Sequence, residues 1–179
     1  MELNFSLDGL VGFDMNNKTV GIIGTGKIGC VVAKIINGFS CRILAFDQQT
    51  DEDIIKEYNV LYVDLPTLCR ESDIITLHVP LLRQTRHMIN TYTISLMRQG
   101  VMLINTSRGA LVQTNDVING LKTRRIGSFG MDVYEEEASL FFQDHSDDIL
   151  QDDVIARLLS FRNVLITGHQ AFLTREALQ

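Results

Sequence analysis

The chain has 179 residues, of which 45% are hydrophobic and 21% are charged, and its formal net charge is −6. This composition is typical of a globular protein, and the scattered Lys and Arg residues form no basic face of the kind that nucleic-acid binding needs. No apolar run approaches the roughly 20 residues that span a bilayer, and the first residues do not resemble a signal peptide, so we expect a cytoplasmic protein that binds neither nucleic acid nor membrane.

Short apolar runs alternate with amphipathic stretches from about residue 19 onwards. The runs predict strands at Thr19–Gly24, Cys41–Phe46, Val60–Val63, Asp73–His78, Val101–Thr106, Ile126–Val133 and Asn163–Thr167. Periodic patterns predict helices near Lys27–Gly38, Asp51–Tyr58, Leu65–Arg70, Thr91–Arg98, Asn115–Lys122 and Asp152–Leu159. Gly100 or Gly120 is expected to end a helix. The alternation predicts an α/β fold of βαβ units, hence a Rossmann-type doubly wound parallel sheet that is buried on both faces.

Glycines follow the first predicted strand and open the first predicted helix, in the run Gly24-Thr25-Gly26-Lys27-Ile28-Gly29. Gly24 allows a tight turn, Gly26 lets the backbone approach a pyrophosphate, and Gly29 permits close packing of helix on strand. The N-terminus of the helix adds free N–H groups and the positive end of a dipole. Glycines in a β–α turn without function would look similar, so the motif is weak by itself.

Asp47 strengthens this interpretation. It ends the second predicted strand, where the dinucleotide fingerprint has an acid that accepts hydrogen bonds from the adenosine ribose. Gln48 and Gln49 follow, and no Arg stands beside the acid to accept a 2′-phosphate. The pattern therefore favours NAD over NADP.

The three cysteines carry no chemistry in this interpretation. Cys30, Cys41 and Cys69 are odd in number and are spaced neither as a metal site nor as a disulfide framework. We expect small buried hydrophobic residues in a reducing compartment, and no metal site.

Four further motifs lie at Leu77–Leu81, Leu103–Ala110, Gly130–Glu137 and Thr167–Thr174. In order and spacing they resemble the signatures of the D-2-hydroxyacid dehydrogenase family. Three segments look like the fermentative bacterial D-lactate dehydrogenases of that family, namely Asn4–Leu7, Asp64–Leu68 and Gly168–Thr174. The resemblance runs from about residue 4 to the last residue.

The resemblance implies hydride transfer between NAD and a small 2-hydroxy or 2-keto acid, with D-lactate and pyruvate as the expected pair. Arg108 would fork onto the substrate carboxylate and carbonyl, which an ammonium cannot do. His169 would exchange a proton with the C2 oxygen, a role that histidine side chains commonly have in catalysis. Composition does not distinguish the acids at 135–137. The family pattern places the active acid third, which selects Glu137 to orient the histidine and leaves Glu135 as the alternative.

The resemblance also implies cofactor contacts. Lys27 and Ile28 would meet the pyrophosphate through their backbones. The nicotinamide half would be lined by Val79, Pro80, Thr85, Thr106, Ser107 and Asp132. The other histidines are expected to be structural or at the surface, although His78 belongs to the cofactor-side motif.

In this family the nucleotide domain is inserted within the chain of a substrate domain, so the resemblance implies half of a two-domain enzyme. Residues 1–18 would be a connecting segment, 19–170 the NAD-binding domain, and 171–179 the start of the return to the substrate domain. We expect NAD binding with little or no turnover, and a homo-oligomer. The alternatives are a glyoxylate, hydroxypyruvate or phosphoglycerate reductase of the same family, and a non-catalytic NAD-sensing or scaffolding module.

Overall fold

A computed structural model of the chain describes residues 12–136, 152–170 and 173–179. Its strands are β1 (Thr19–Ile23), β2 (Arg42–Phe46), β3 (Leu61–Tyr62), β4 (Ile74–Leu77), β5 (Val101–Asn105), β6 (Ile126–Met131) and β7 (Val164–Ile166). Its α-helices are α1 (Lys27–Asn37), α2 (Glu52–Tyr58), α3 (Leu65–Glu71), α4 (Thr91–Leu96), α5 (Thr114–Lys122) and α6 (Asp153–Leu159), with a short 3₁₀ helix at Gly109–Leu111. Every strand and helix predicted from the sequence is present, with ends that differ by one or two residues.

The seven strands form one parallel sheet in the order β3-β2-β1-β4-β5-β6-β7. The chain moves outward from β1 through β2 to β3, and then returns to place β4 on the other side of β1. This order confirms the Rossmann-type doubly wound sheet. Ligands of such sheets bind beyond the carboxyl ends of the strands at the point where the order reverses, which here lies between β1 and β4.

Alternate residues of each strand point to opposite faces of the sheet, and this divides the core in two. On one face Ile22 and Ile43 pack with Ala33 of α1 and Ile54 of α2. On the other face the strands contribute to a larger cluster that includes residues of α3, α4, α5 and α6, among them Leu68, Ile94, Val117 and Ile155. The two layers of helices hold the middle of the sheet between them.

The prediction that both faces are buried does not hold along the whole sheet. Within the described residues, the face that α1 and α2 cover at β1 and β2 is only partly buried at β5 and β6. Met102 and Ile104 are half-buried there, and Leu165 of β7 is 69% exposed. Helices that follow β1 and β2 cover one end of this face, whereas those that follow β3 to β6 pack on the opposite face.

Side-chain caps explain where several helices begin. Asp51 and Asp64 accept hydrogen bonds from first-turn N–H groups of α2 and α3, and Asn90 forms a capping box at α4. Gly120 does not end α5, so that prediction is wrong. A Cβ at this glycine would lie 2.8 Å from the Ile126 side chain, which shows that Gly120 serves helix–strand packing.

Candidate functional site

The described site residues gather at the carboxyl edge of the sheet. Strands β4 to β7 end in register, because one row of paired residues crosses them through Leu77, Asn105, Met131 and Ile166. The segments that follow these strands therefore lie at one edge, and they contain Val79–Pro80, Thr106–Arg108, Asp132 and Thr167–His169. Four motifs that are far apart in the sequence are brought together by parallel pairing alone.

The glycine loop has a different physical reason for each glycine. Gly24 has a φ of +98°, a conformation that side chains disfavour, and a Cβ on it would lie 2.7 Å from the backbone of His78. A Cβ on Gly29 would lie 1.9 Å from the Gly24 carbonyl oxygen. At Gly26 nothing lies within 4 Å of the added atom, so this glycine faces open space. The first and third glycines thus shape the loop, and the second leaves room for a ligand.

The N-terminus of α1 is suited to an anion. Its N-cap residue is Gly26, which supplies no side-chain hydrogen bond, and its first turn contains no acidic residue. Lys27 and Ile28 are exposed at this end. First-turn N–H groups without a side-chain acceptor, together with the helix dipole, favour a phosphate group at such a position.

Asp47 follows β2 and is tied to the glycine loop. Its Oδ2 accepts hydrogen bonds from the Thr25 N–H at 2.6 Å and the Thr25 hydroxyl at 3.2 Å, and its Oδ1 accepts from the Gln48 N–H at 2.6 Å. Partial burial by itself would raise the pKa of this carboxyl, but the hydrogen bonds outweigh burial and the pKa lies below its ordinary value. Asp47 is therefore a fixed anion beside the loop.

Tyr62 of β3 completes this arrangement, and the sequence analysis missed it. Its hydroxyl donates to the Thr25 hydroxyl at 2.8 Å and accepts from the Asp51 N–H at 3.0 Å. A tyrosine at the end of a strand gives no signal in the sequence that distinguishes it from a core residue.

A cavity of about 330 Å³ lies between the glycine loop and the segment after β4. Its lining contains Gly24, Gly26, Phe46, Asp47, Gln48, Leu65, His78, Val79, Pro80, Leu82, Gln84, Thr85 and Met88. Val79, Pro80 and Thr85, which the resemblance assigns to the nicotinamide half of a cofactor, share this cavity with Asp47 and Gln48. His78, expected to be structural although it belongs to the cofactor-side motif, is also on the wall, and burial lowers the pKa of its imidazole.

Arg108 sits on a turn that buried groups define. Asn105, fully buried at the end of β5, donates from Nδ2 to the Arg108 carbonyl oxygen at 3.0 Å and accepts from the Ser107 N–H at 3.2 Å. The Ser107 hydroxyl donates to the Val79 carbonyl oxygen at 2.7 Å, which joins the ends of β5 and β4. The Arg108 side chain is exposed, and its Nη1 donates to the Ser107 carbonyl oxygen. Asn105 is a positioning residue that the sequence analysis did not identify.

Asp132 and His169 are joined through the backbone. Asp132 is only 3% exposed, and its Oδ1 accepts hydrogen bonds from the Thr167 hydroxyl and from the Gln170 N–H at 3.0 Å. The His169 N–H donates to the Asp132 carbonyl oxygen at 2.7 Å, and the His169 backbone has a φ of +51°. The segment after β6 thus holds the loop that carries His169.

A second cavity, of about 520 Å³, lies against the partly buried face of β5 to β7. It brings Thr106 and Asp132 together with Thr167, beside apolar residues that include Met102, Ile104 and Leu165. Thr106 itself is exposed. Thr106 and Asp132 therefore line a different cavity from the cofactor residues predicted around Asp47.

Glu137, the acid selected by the family pattern, lies outside the described residues. Glu135 is 17% exposed in its side chain, and its carboxylate contacts His87, Thr114 and, at 3.9 Å, Arg86. Glu135, the alternative acid, therefore has its described contacts with His87, Thr114 and Arg86.

The described residues contain no group of three or more His, Cys, Asp or Glu side chains that is arranged to hold a metal ion. No helix in the same part of the chain is both long and apolar enough to cross a membrane. The three cysteines are free thiols. Cys69 is buried, and burial raises its pKa to about 11, whereas Cys30 and Cys41 are half-buried and so less enclosed than the sequence predicts.

Comparison with known proteins adds a family to this geometry. Residues 3–171 match the family model described as "D-isomer specific 2-hydroxyacid dehydrogenase, NAD binding domain". The D-lactate dehydrogenase of Escherichia coli (strain K12) is 54% identical over 177 residues, which are 99% of this chain and 54% of that protein. D-lactate dehydrogenase kk1H of Curvularia clavata is 50% identical over 175 residues, 98% of this chain and 50% of its own length.

Solved structures agree with the family match. A structure described as the pyruvate reductase of Chlamydomonas reinhardtii has a TM-score of 0.94 at 44% identity and covers 98% of this chain and 54% of its own. The Salmonella D-lactate dehydrogenase has a TM-score of 0.87 at 54% identity, with coverage of 98% and 53%. The Aquifex aeolicus D-lactate dehydrogenase, solved with NAD and lactic acid, has a TM-score of 0.89 at 38% identity, with coverage of 98% and 54%. The chain thus spans about half the length of these relatives.

Proposed function

The chain belongs to the D-isomer specific 2-hydroxyacid dehydrogenase family, as its NAD-binding domain, and on this basis we propose that it binds NAD(H) and supplies the reacting residues of a D-lactate dehydrogenase. The observation that carries the proposal is the junction of the glycine loop with Asp47 at one cavity. Both components of a dinucleotide site are there, and they are joined by hydrogen bonds within the chain.

The residues around the cavity fit a dinucleotide. Gly26 leaves open space in front of the N-terminus of α1, where a pyrophosphate would lie. A carboxylate has about four acceptor positions, so Asp47 retains acceptors for ribose hydroxyls beside its bonds to Thr25 and Gln48. The fixed negative charge of Asp47 would repel a 2′-phosphate. We therefore propose that Val79, Pro80 and Thr85 meet the adenosine side of the cofactor, in the cavity that they share with Asp47.

The residues beyond β5 and β7 account for the chemistry of a 2-keto acid. Bound NADH supplies a hydride for the C2 carbon of the substrate. Arg108 has five N–H donors, and among the described residues its guanidinium bonds to the Ser107 carbonyl alone, so donors remain for a carboxylate and a carbonyl oxygen. His169 gives a proton to the C2 oxygen during reduction and recovers it during oxidation. In this proposal Glu137 orients His169, and Asp132 holds the loop that carries the histidine.

The substrate pair proposed is pyruvate and D-lactate, because two relatives, 54% and 50% identical to this chain, are named D-lactate dehydrogenases. The chain spans about half of their length, and exclusion of water matters for transfer of hydride. We propose that the chain binds NADH and turns over weakly or not at all by itself.

The experiment is a titration of NADH into the purified chain, followed by fluorescence, with NADPH as the matched ligand. We expect saturable NADH binding, and NADPH binding that is weaker by about tenfold or more because its extra phosphate meets Asp47. Pyruvate is then added to the NADH complex. Absence of saturable NADH binding would contradict the proposed function, and oxidation of NADH at ordinary enzyme rates would contradict the proposed weak turnover.

We also propose that the protein is a cytoplasmic homo-oligomer. Three residues on the outer side of α1 support association, since Ile28, Val31 and Ile35 form an apolar stripe at helical spacing and each is more than half exposed. Three free thiols are compatible with a reducing compartment. Light scattering of the purified chain tests the assembly, and a monomer at all concentrations would contradict it.

A further inference from the structure

The segment between β4 and α4 forms one wall of the nucleotide cavity. Its contributions to the lining are Val79, Pro80, Leu82, Gln84, Thr85 and Met88. We call residues 79–89 the cavity loop. Inside it the Thr85 hydroxyl donates to the Pro80 carbonyl oxygen at 2.6 Å and accepts from the Leu82 N–H at 2.8 Å. These bonds shape the loop, but they do not attach it to the rest of the domain.

The cavity loop is attached at one end by the Ser107 hydroxyl, which bonds to Val79, and at the other end by backbone bonds of Ile89 to Leu111 and Gln113. His87 adds an attachment between these two ends. Its N–H donates to the Ala110 carbonyl oxygen at 2.8 Å, and its Nε2 lies 2.5 Å from Oε1 of Glu135. A carboxylate only accepts hydrogen bonds, so Nε2 is the donor. The backbone of His87 has a φ of +50°, in the left-handed region, where a residue other than glycine persists when its surroundings hold it. His87 is thus fixed both by its backbone and by its side chain.

Glu135 receives contacts from a third segment. Its Oε2 accepts hydrogen bonds from the Thr114 hydroxyl at 2.9 Å and from the Thr114 N–H at 3.4 Å. Thr114 begins α5, just beyond the turn that carries Arg108. Glu135 itself follows Asp132 by three residues and precedes Glu137 by two. One carboxylate therefore joins the cavity loop, the segment after Arg108 and the segment that leads to the proposed triad acid.

We propose that Glu135 is a positioning residue, which holds the cavity loop in its binding conformation through His87. Glu135 is absent from the lining of the cavity, so it acts on the nucleotide only through the loop. The inference rests on the proposed function, because it assigns the loop to nucleotide binding. It also gives the acidic run at 135–137 two separate roles, with attachment of the loop at Glu135 and orientation of His169 at Glu137.

The test uses three variants of the whole chain and one control. Glu135→Gln leaves one acceptor oxygen where the carboxylate has two, so His87 and Thr114 cannot both keep their bonds. His87→Asn removes the contact with Glu135 from the other side, and asparagine tolerates a positive φ. The third variant combines both changes. Glu52→Gln is the control, since Glu52 is exposed and pairs with Lys56 on α2, away from the cavity loop.

The first measurement is hydrogen exchange of the chain without nucleotide. Backbone bonds protect the amides of Thr85, Arg86, His87, Met88 and Ile89. We expect Glu135→Gln and His87→Asn each to raise the exchange rates of these amides about tenfold, while the amides of α1 keep theirs. The second measurement is the dissociation constant for NADH. We expect it to rise about threefold to tenfold in each single variant, with no further rise in the double variant beyond about twofold.

The outcomes separate the two proposals. Unchanged exchange in the cavity loop of both single variants would overturn the role of Glu135, whatever the nucleotide affinity. If the cavity-loop amides exchange faster in the single variants but the unaltered chain does not bind NADH, the proposed function is contradicted and the role of Glu135 is not. Effects of the two substitutions on NADH affinity that simply add would also overturn the inference, because His87 and Glu135 would then act separately. Should Glu135→Gln fail to fold, His87→Asn retains the carboxylate and carries the same test.

Discussion

The two parts of the site are built in different ways. The cavity beside β1, β2 and β4 is made by the core packing of the domain, since Gly24 and Gly29 lie against backbone atoms and Asp47 is bonded to the loop that it faces. The edge beyond β5, β6 and β7 carries Arg108 and His169, the proposed reacting groups, on loops. Arg108 is exposed there, and one face of the sheet beneath is only partly buried. The difference indicates that contacts within the domain are enough to shape the cavity around Asp47. Arg108, by contrast, is exposed and can contact a substrate or another protein segment.

The largest expected effect comes from a substitution in the glycine loop, on the cavity side of the comparison. Gly29→Val places a Cβ 1.9 Å from the Gly24 carbonyl oxygen, where two pieces of backbone must separate. We expect the free energy of unfolding to fall by about 3 kcal/mol and saturable NADH binding to disappear. Urea unfolding and the NADH titration measure the two effects.

Gly26→Val is the matched variant for that experiment. Nothing lies within 4 Å of the new Cβ, so the stability of the chain should stay within about 0.5 kcal/mol while NADH binding is lost. Equal loss of stability in both variants would show that Gly26 has a packing role and that the comparison of the three glycines is wrong.

The next largest effect concerns Asp132, at the edge beyond β5, β6 and β7. Asp132→Ala removes the acceptor of the Thr167 hydroxyl and of the Gln170 N–H. We expect the free energy of unfolding to fall by about 2 kcal/mol, because buried donors lose their partner. Asp132→Asn keeps an acceptor oxygen and should lose less than half as much. The same loss in both variants, measured by urea unfolding, would mean that the charge of Asp132 matters and that its hydrogen bonds do not.

A smaller effect concerns pH. The pKa of the Asp47 carboxyl is lower in the folded chain than its ordinary value of about 3.9. Stability from this group is therefore fully present above about pH 4, and it is lost as the pH falls through the lower folded pKa. We expect the chain to be more stable than Asp47→Asn at pH 7, with the difference shrinking below pH 4. Asp14→Asn, at an exposed position, is the control, and a difference that grows on acidification would contradict the prediction.

The smallest effect tests whether the two parts are separate. Arg108→Gln removes an exposed guanidinium whose described contact is with its neighbouring residue. We expect the dissociation constant for NADH to change by less than about twofold, since the cavity lining does not include Arg108. A tenfold change in this dissociation constant would show that Arg108 contributes to nucleotide binding and that the two parts are not separate.

Much of this could be predicted from the sequence. Short apolar runs between amphipathic stretches predict all seven strands, because a strand in the middle of a parallel sheet is covered on both faces and its residues are therefore almost all apolar. The order of the motifs predicts that Arg108 and His169 follow strands. Periodicity does not predict that Val79, Pro80 and Thr85 share a cavity with Asp47, because that depends on which strands become neighbours. The pattern predicts the end of α5 at Lys122 correctly, but the expectation that Gly120 ends the helix is wrong, because its packing against Ile126 involves residues of another element.

By itself, then, the sequence determined the alternation of strands and helices, the glycine loop with its acid and the family of the chain, because these are carried by spacing along the backbone. Only the tertiary structure decided that Asn105 and Tyr62 hold the site, and that Glu135 pairs with His87 rather than standing as an undistinguished member of an acidic run. The roles of Tyr62 and Glu135 arise from contacts with residues 37 and 48 positions away, whereas Asn105 bonds within the turn that follows its own strand. Their energies depend on which donors and acceptors folding brings within about 3 Å, and that is a property of the sheet order and register.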